Sequence, residues 1–219
     1  MHSGVFTVKG VKMSKSLKNF ITIREALKAH SAESIRLLFC STHYRKDVDY
    51  SEEAIAEAEK RLGYLYAALS LFYNMKESPS AEPDSEIAEA IKEMRDGFTK
   101  AMDDDFNTPL ALSNITIALN ALRAFSERNG AAGKAAKEGA IIEILGLAKV
   151  LGILEDEAYK EPVPKEAISL IKKREELRKK RSFKESDEIR EVLKKDYRII
   201  VEDSSDGMKW YREMGKGKL

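Results

Sequence analysis

The sequence predicts a mainly α protein: a short mixed α/β connective segment, then an antiparallel helical bundle, then a small C-terminal α+β unit. Three observations predict it. Apolar residues recur at helical spacing through Ile55, Leu62, Leu65, Leu69 and Phe72. Good helix starts recur along the chain, at Thr22, at Ser51 and at Thr108-Pro109. Near the end, the β-rich run Arg198-Ile199-Ile200-Val201-Glu202 meets the turn signal Ser204-Ser205-Asp206-Gly207. The implied divisions are 1–50, 51–161 and 162–219, within the one to two domains that 219 residues suggest.

In the first segment, Val5 to Val8 alternates weakly and reads as a strand. Gly10 to Asn19 is small, basic and hydroxylated, with no period, and reads as a loop. Ile23 to His30 reads as a short helix capped by Thr22, and Ser31 to Ser41 as another. In the bundle, Ser51 caps the first long helix, with Glu52 and Glu53 suited to its dipole. Pro79 and Pro83 break it. A second helix is expected from about Asp84 to Met102. A third follows Asn107, with Thr108 as cap and Pro109 first, and ends at Gly130 and Gly133. A fourth spans about Lys134 to Leu151. Short connections make consecutive helices antiparallel. Residues 155–164, with Pro162 and Pro164, read as a linker. Helices near Lys165–Arg181 and Lys184–Lys195 follow, then the strand pair 198–202 and 208–212, and a fraying end from Gly215 to Leu219.

Composition narrows the function classes. With 43% hydrophobic residues the chain can bury a core, which disfavours disorder. A single cysteine, Cys40, excludes a disulfide framework and a cysteine-rich zinc site within the chain. His2, His30 and His43 lack mutual ligand spacing, so no metal is expected here. No apolar run has the roughly 18 residues of a membrane span, and Met1-His2-Ser3-Gly4 does not open a signal peptide. A cytoplasmic protein is the expectation. The net charge of +1 hides a basic, acidic, basic order: 9 Lys+Arg against 4 Asp+Glu in 1–50, 12 against 21 in 51–161, 17 against 12 in 162–219. That order suggests two anion-facing ends joined by an acidic spacer.

The chemistry centres on Lys12-Met13-Ser14-Lys15-Ser16. Two lysines three apart, flanked by hydroxyls, can surround a triphosphate. Lysine acts there as a compact point charge on a flexible stem. In nucleotidyl transfer, negative charge builds on the phosphate oxygens and leaving pyrophosphate, and cations placed there lower the barrier.

This pentapeptide is the signature loop of class I aminoacyl-tRNA synthetases. The longer strings resemble cysteinyl-tRNA synthetases: Met1-His2-Ser3-Gly4, then Lys12 to Phe20; Thr42-His43-Tyr44-Arg45 followed by Asp49-Tyr50-Ser51-Glu52-Glu53; and Ala101 through Asp103-Asp104-Asp105 to Pro109. The C-terminal run fits as well, through Arg178, Asp187, Ile189-Arg190, Leu193, Glu202-Asp203, Gly207 and Trp210. The similarity keeps the family's order over nearly the whole chain. Lys18 departs from it, standing where many bacterial members have glycine, and Tyr211 interrupts the usual Trp-Arg pair.

The resemblance implies a cysteine–tRNA ligase of which this is the half from the loop onward. The complete enzyme activates cysteine with ATP and Mg²⁺, then charges tRNA(Cys). The nucleotide-binding fold and the zinc ligands belong to the missing N-terminal half, so this chain alone is expected to be inactive. By the same resemblance, Lys12 and Lys15 are the catalytic cations, and Ser14 and Ser16 join them in binding ATP. Residues 1–50 contact the stem side of the tRNA, where His43, Tyr44 and Arg45 either take part or pack a helix end. Residues 51–161 form a DALR-type helical bundle. Residues 162–219 form the anticodon-binding unit, with Arg178, Asp187 and Asp203 as readers. Within it, Lys172 to Arg181 holds 7 basic residues against 2 acidic ones, as suits RNA phosphates. Trp210 is expected in the core, Cys40 as a buried small hydrophobe, and Asp103-Asp104-Asp105 capping a helix end or at a helix junction rather than on Mg²⁺. A monomer is expected. Two other readings stand beside this one: a stand-alone tRNA-binding fragment without catalysis, and the related ligase joining cysteine to a sugar amine. The latter has no need of residues 165–212.

Overall fold

The computed structural model describes residues 2–78, 85–204 and 207–213. The sequence features at Pro79, Pro83, Ser205-Asp206 and 215–219 lie outside the described residues. Among the described residues the fold is mainly helical, as the periodicity requires, with three small sheets.

The first sheet has the order β2-β1-β3, formed by β1 (Phe6–Val8), β2 (Val11–Lys12) and β3 (Val48–Tyr50). β1 and β2 form a hairpin, with Thr7 opposite Lys12. β3 lies parallel to β1, so the chain must cross over between them. Helices α1 (Ile23–Ala29) and α2 (Ala32–Cys40) make that crossover. Thr22 and Glu25 close a reciprocal capping box on α1, and Ser31 caps α2. Phe6 stacks on Phe39 at 5.5 Å between ring centres and meets Tyr50 at 6.1 Å. The sheet is thereby fixed to α2 and to the start of the bundle.

Ser51 caps α3 (Glu52–Tyr73), accepting from the Ala54 amide at 3.1 Å. The bundle continues with α4 (Ser85–Asp103), α5 (Thr108–Asn129) and α6 (Lys134–Leu151). Leu37 of α2 joins Ile55, Leu69, Phe72, Leu112, Ile115, Leu119 and Ile144 in the core, all with no exposed surface. Each such side chain stabilises the fold by roughly 1.5–3 kcal/mol relative to exposure. Two details differ from the sequence reading. The cap of α5 is Asn107, whose side chain accepts from the Leu110 amide; Thr108 is already helical. Both residues are good caps, and the helix starts one residue earlier than the Pro109 signal implies, which puts Asn107 at the cap. In addition, β4 (Lys76–Ser78) pairs in parallel with β5 (Ala131–Gly133), tying together the C-terminal ends of α3 and α5.

Residues 155–164 are held rather than free, unlike a simple linker. Glu157–Lys160 forms a 3-10 turn whose Tyr159 is buried edge-on against Tyr73 at 5.2 Å. The Ser70 hydroxyl donates to the Glu161 carbonyl at 2.9 Å. The chain therefore runs back along α3 before the last unit begins.

That unit comprises α7 (Lys165–Lys179), α8 (Phe183–Tyr197) and the hairpin β6 (Ile199–Ser204) with β7 (Gly207–Arg212). Its core joins Ala167, Ile171, Leu193, Ile199, Val201 and Trp210 to Ala67 of α3. Trp210 is buried, as expected, beneath the Arg123 guanidinium at 4.7 Å. Tyr64 donates to Glu202 at 2.9 Å, and Lys60 reaches the same carboxylate at 2.6 Å. The unit is thus docked on α3. Cys40 is only half-buried, less than expected; burial still pushes its thiol pKa up.

Candidate functional site

The lysine loop grows out of the β1–β2 hairpin. Asp49 of β3 holds the hairpin turn: one carboxylate oxygen accepts from the Thr7 hydroxyl and the Gly10 amide, each at 2.7 Å. Those bonds hold the Asp49 carboxyl below its ordinary range. Met13 extends the hairpin by donating to the Phe6 carbonyl at 3.0 Å. Lys12 ends β2, and Lys15 opens the turn that follows; both side chains lie at the surface. The Ser14 and Ser16 hydroxyls face each other at 3.1 Å. Four cation- and hydroxyl-bearing residues are therefore gathered on one exposed turn, with chemistry suited to phosphate oxygens.

A second constellation joins the segment His43-Tyr44-Arg45 to Asp105. Asp105, in the turn between α4 and α5, accepts from the Tyr44 hydroxyl at 2.6 Å and from Arg45 Nε at 2.5 Å and Nη2 at 3.2 Å. His43 stacks on Tyr44 and lies 3.9 Å from the same carboxylate. Arg45 and Tyr44 hold the Asp105 pKa at about 2. Of the three consecutive acids, Asp105 serves a junction, packed by Tyr44 and Arg45. Among the described residues, no group of three or more His, Cys, Asp or Glu side chains is arranged to hold a metal ion.

A third constellation lies on the last unit. Asp203 of β6 receives Arg174 through both terminal nitrogens, at 2.9 and 2.8 Å, and Arg178 at 3.0 Å. Arg174, first among several cationic influences, keeps the Asp203 carboxyl below its ordinary range; Arg190 adds to the effect. Arg190 in turn lies 3.8 Å from Asp187. Of the residues singled out in the sequence, Arg178 and Asp203 are thus in direct contact, whereas Asp187 pairs with Arg190 and touches neither of them in any contact seen among the described residues.

Two residues here escape a reading by residue type. Arg174 has no exposed surface, and its Nε has no hydrogen-bond partner among the described residues. Its signal was its spacing: Ala167, Ile171 and Arg174 share one buried helical face. Phe183, at the first position of α8, is 53% exposed, and the Arg178 guanidinium sits 5.0 Å above its ring. An apolar residue opening a charged helix was the mark it left in the sequence.

Known proteins agree with the resemblance at a coarser level. Residues 1–60 match the family model described as the catalytic domain of class I (C) tRNA synthetases, and residues 97–155 match the DALR domain. The chain is 36% identical over 216 residues to a cysteine–tRNA ligase of Symbiobacterium thermophilum, covering 97% of this chain and 45% of that protein. Another, from Alkalilimnicola ehrlichii, is 38% identical over 224 residues, with the same two coverages. A third, from Thermococcus gammatolerans, is 37% identical over 223 residues, covering 97% of this chain and 46% of that one. The chain thus spans less than half the length of these relatives. Among solved structures, the ternary complex of LeuRS with tRNA and LeuAMS from Agrobacterium radiobacter K84 superposes with a TM-score of 0.50 at 18% identity, over 74% of this chain and 24% of that one. That likeness concerns the fold. Along 97% of its length the chain is similar to cysteine–tRNA ligases, and its residues 1–60 and 97–155 match, in that order, the class I (C) synthetase and DALR models.

Proposed function

We propose that this chain is the loop-bearing and tRNA-binding portion of a cysteine–tRNA ligase. In the complete reaction, a cysteine carboxylate oxygen attacks the α-phosphorus of ATP, and the bond to the pyrophosphate breaks. The terminal adenosine of tRNA(Cys) then takes the cysteinyl group from the adenylate. Lys12 and Lys15 act by placing positive charge where the phosphates gain negative charge, while Ser14 and Ser16 donate to phosphate oxygens. Mg²⁺ accompanies the ATP, and the zinc that selects cysteine belongs to a region homologous to the remainder of the relatives. Residues 1–50 face the tRNA stem, 51–161 form the spacer, and 162–219 read the anticodon. The protein works as a monomer in the cytoplasm. The polypeptide by itself binds tRNA and does not catalyse adenylate formation.

What carries the reading is one patch: Arg178 pairs with Asp203, twenty-five residues on, while its guanidinium lies over the exposed ring of Phe183. Unpaired bases are recognised by such a combination of flat surface and edge-directed hydrogen bonds. Arginine can donate twice to a guanine edge, a contact that discriminates by about 1–3 kcal/mol. The test compares binding of this chain to tRNA(Cys) with binding to the same tRNA carrying another anticodon. The native anticodon should bind about tenfold tighter or better, and Arg178→Ala should erase that difference. Equal affinity of the unaltered chain for both would overturn the anticodon assignment. Adenylate formation is tested separately, by ATP–pyrophosphate exchange after adding a nucleotide-binding half. Lys15→Ala should slow it by about 10²–10³.

A further inference from the structure

One side chain, that of Asn19, closes the lysine loop. The Asn19 carboxamide oxygen accepts from the Ser14 amide at 2.9 Å. Its nitrogen donates to the Lys12 carbonyl at 3.1 Å and approaches the Val11 carbonyl at 3.4 Å. One amide thus bridges both sides of Met13. Between Ser14 and Asn19 the chain makes a tight turn: the Lys18 amide donates to the Lys15 carbonyl at 3.2 Å, and the Leu17 amide to the Ser14 hydroxyl at 3.3 Å. Lys18 has a φ of 54°, and this left-handed residue turns the chain so that Asn19 faces back onto β2.

We infer that Asn19 is a positioning residue that pre-sets Lys12 and Lys15 for polyphosphate. The inference rests on the proposed role of the lysines and adds what holds them. The two lysines flank the segment that the carboxamide fixes, so their backbones share one anchor. Both side chains are long and exposed, and a free loop would lose much conformational freedom on gathering them about a ligand. A loop already closed avoids most of that loss. Only a carboxamide suits the position among side chains of this size and shape. Asparagine donates to one backbone group and accepts from another; aspartate offers two acceptors and faces the Lys12 carbonyl with a lone pair.

The test uses the chain as it stands, with inorganic tripolyphosphate as the probe and NMR as the readout. The amide signals of residues 12–18 and the lysine ammonium signals are followed through a titration. Unaltered chain, Asn19→Ala, Asn19→Asp and Lys15→Ala are compared. Loss of two ordinary hydrogen bonds should weaken tripolyphosphate binding about tenfold in Asn19→Ala. Amide exchange at Ser14 and Leu17 should quicken, while the Tm stays within about 2 °C, because an exposed loop carries little of the global stability. Asn19→Asp should match or exceed the loss in Asn19→Ala. If Lys15→Ala weakens binding and Asn19→Ala does not, the latch is refuted and the lysine assignment stands. If neither variant differs from the unaltered chain, or if that chain shows no saturable binding, the polyphosphate role of the loop falls and the positioning role falls with it.

Discussion

Arg45 grips both carboxylate oxygens of Asp105, sixty residues away, with Nε to Oδ2 at 2.5 Å and Nη2 to Oδ1 at 3.2 Å. The pair joins the loop-bearing segment to the turn between α4 and α5. It matters because the hairpin lies on the same support: the Gly4 amide donates to the Tyr44 carbonyl, and the Val5 amide to Asp47. The Asp105 carboxyl is held at about 2, against 3.8 for an unperturbed one. A carboxyl depressed on folding stabilises the folded state above its unfolded pKa, and the gain disappears as pH falls through the folded one. Stability from this junction should therefore be complete above about pH 4 and gone near pH 2. Asp105→Asn should remove that part of the acid transition. The check is thermal unfolding between pH 2 and 5; identical profiles for both proteins would contradict the junction's role.

The C-terminal unit depends on a missing side chain. Gly63 lies on the face of α3 against β7, and a Cβ there would stand 2.6 Å from the Tyr211 ring and 3.2 Å from the Arg212 carbonyl oxygen. The Tyr211 ring could tilt; the backbone carbonyl has less room. Gly63→Ala should cost about 1–3 kcal/mol, the range for forcing extra volume into a packed contact. Helix propensity alone would make the change favourable by about 1 kcal/mol, so the sign decides the matter. Denaturant unfolding measures the cost, and hydrogen exchange should show β6 and β7 losing protection first.

Much of this arrangement is written in local signals, and those are the parts a sequence makes legible. Thr22, Ser31 and Ser51 begin helices because a cap is a bond between near neighbours. Lys12 and Lys15 stand out for the same reason, because their motif is five consecutive residues, and both lie at the surface. Long-range partners leave no such mark. Lys76-Glu77-Ser78 has neither β-branching nor alternation, yet it pairs with Ala131–Gly133 because the bundle brings two helix ends together. Asp105 belongs to a run of three acids, and only the fold shows that Arg45 selects this one. Asp203 aligned with a base reader, but the structure surrounds it with Arg174 and Arg178, so part of its hydrogen-bonding capacity is already spent within the protein.

Arg174 makes that last point testable. Its guanidinium is fully buried, while Asp203 keeps 37% of its side chain exposed. Removing one partner of a buried pair leaves the other uncompensated, and the loss is greatest when the buried partner remains. Asp203→Ala should therefore destabilise the unit by about 3 kcal/mol. Arg174→Met should cost less, since its apolar stem can fill the same space beside Ala167 and Ile171. Chemical unfolding of the two variants gives the comparison. The same stability should decline in acid for the unaltered chain, because Asp203 too is depressed on folding and its contribution fades as the carboxyl protonates.

Lys18 carries a backbone cost that a single substitution can isolate. Its φ of 54° lies in the left-handed region, where a side chain costs roughly 1–2 kcal/mol. Glycine adopts that conformation freely but loses about 0.5–1 kcal/mol more on folding. Lys18→Gly should then stabilise the protein by about 0.5–1 kcal/mol on balance. Lys18→Ala separates backbone from charge: it removes the ammonium and keeps the Cβ, so it should give little or none of the gain. If both substitutions raise the unfolding midpoint equally, repulsion among Lys12, Lys15 and Lys18 is the cause, and the left-handed turn is not under strain. If only glycine does, the turn that returns Asn19 to β2 is held against its residue's own preference.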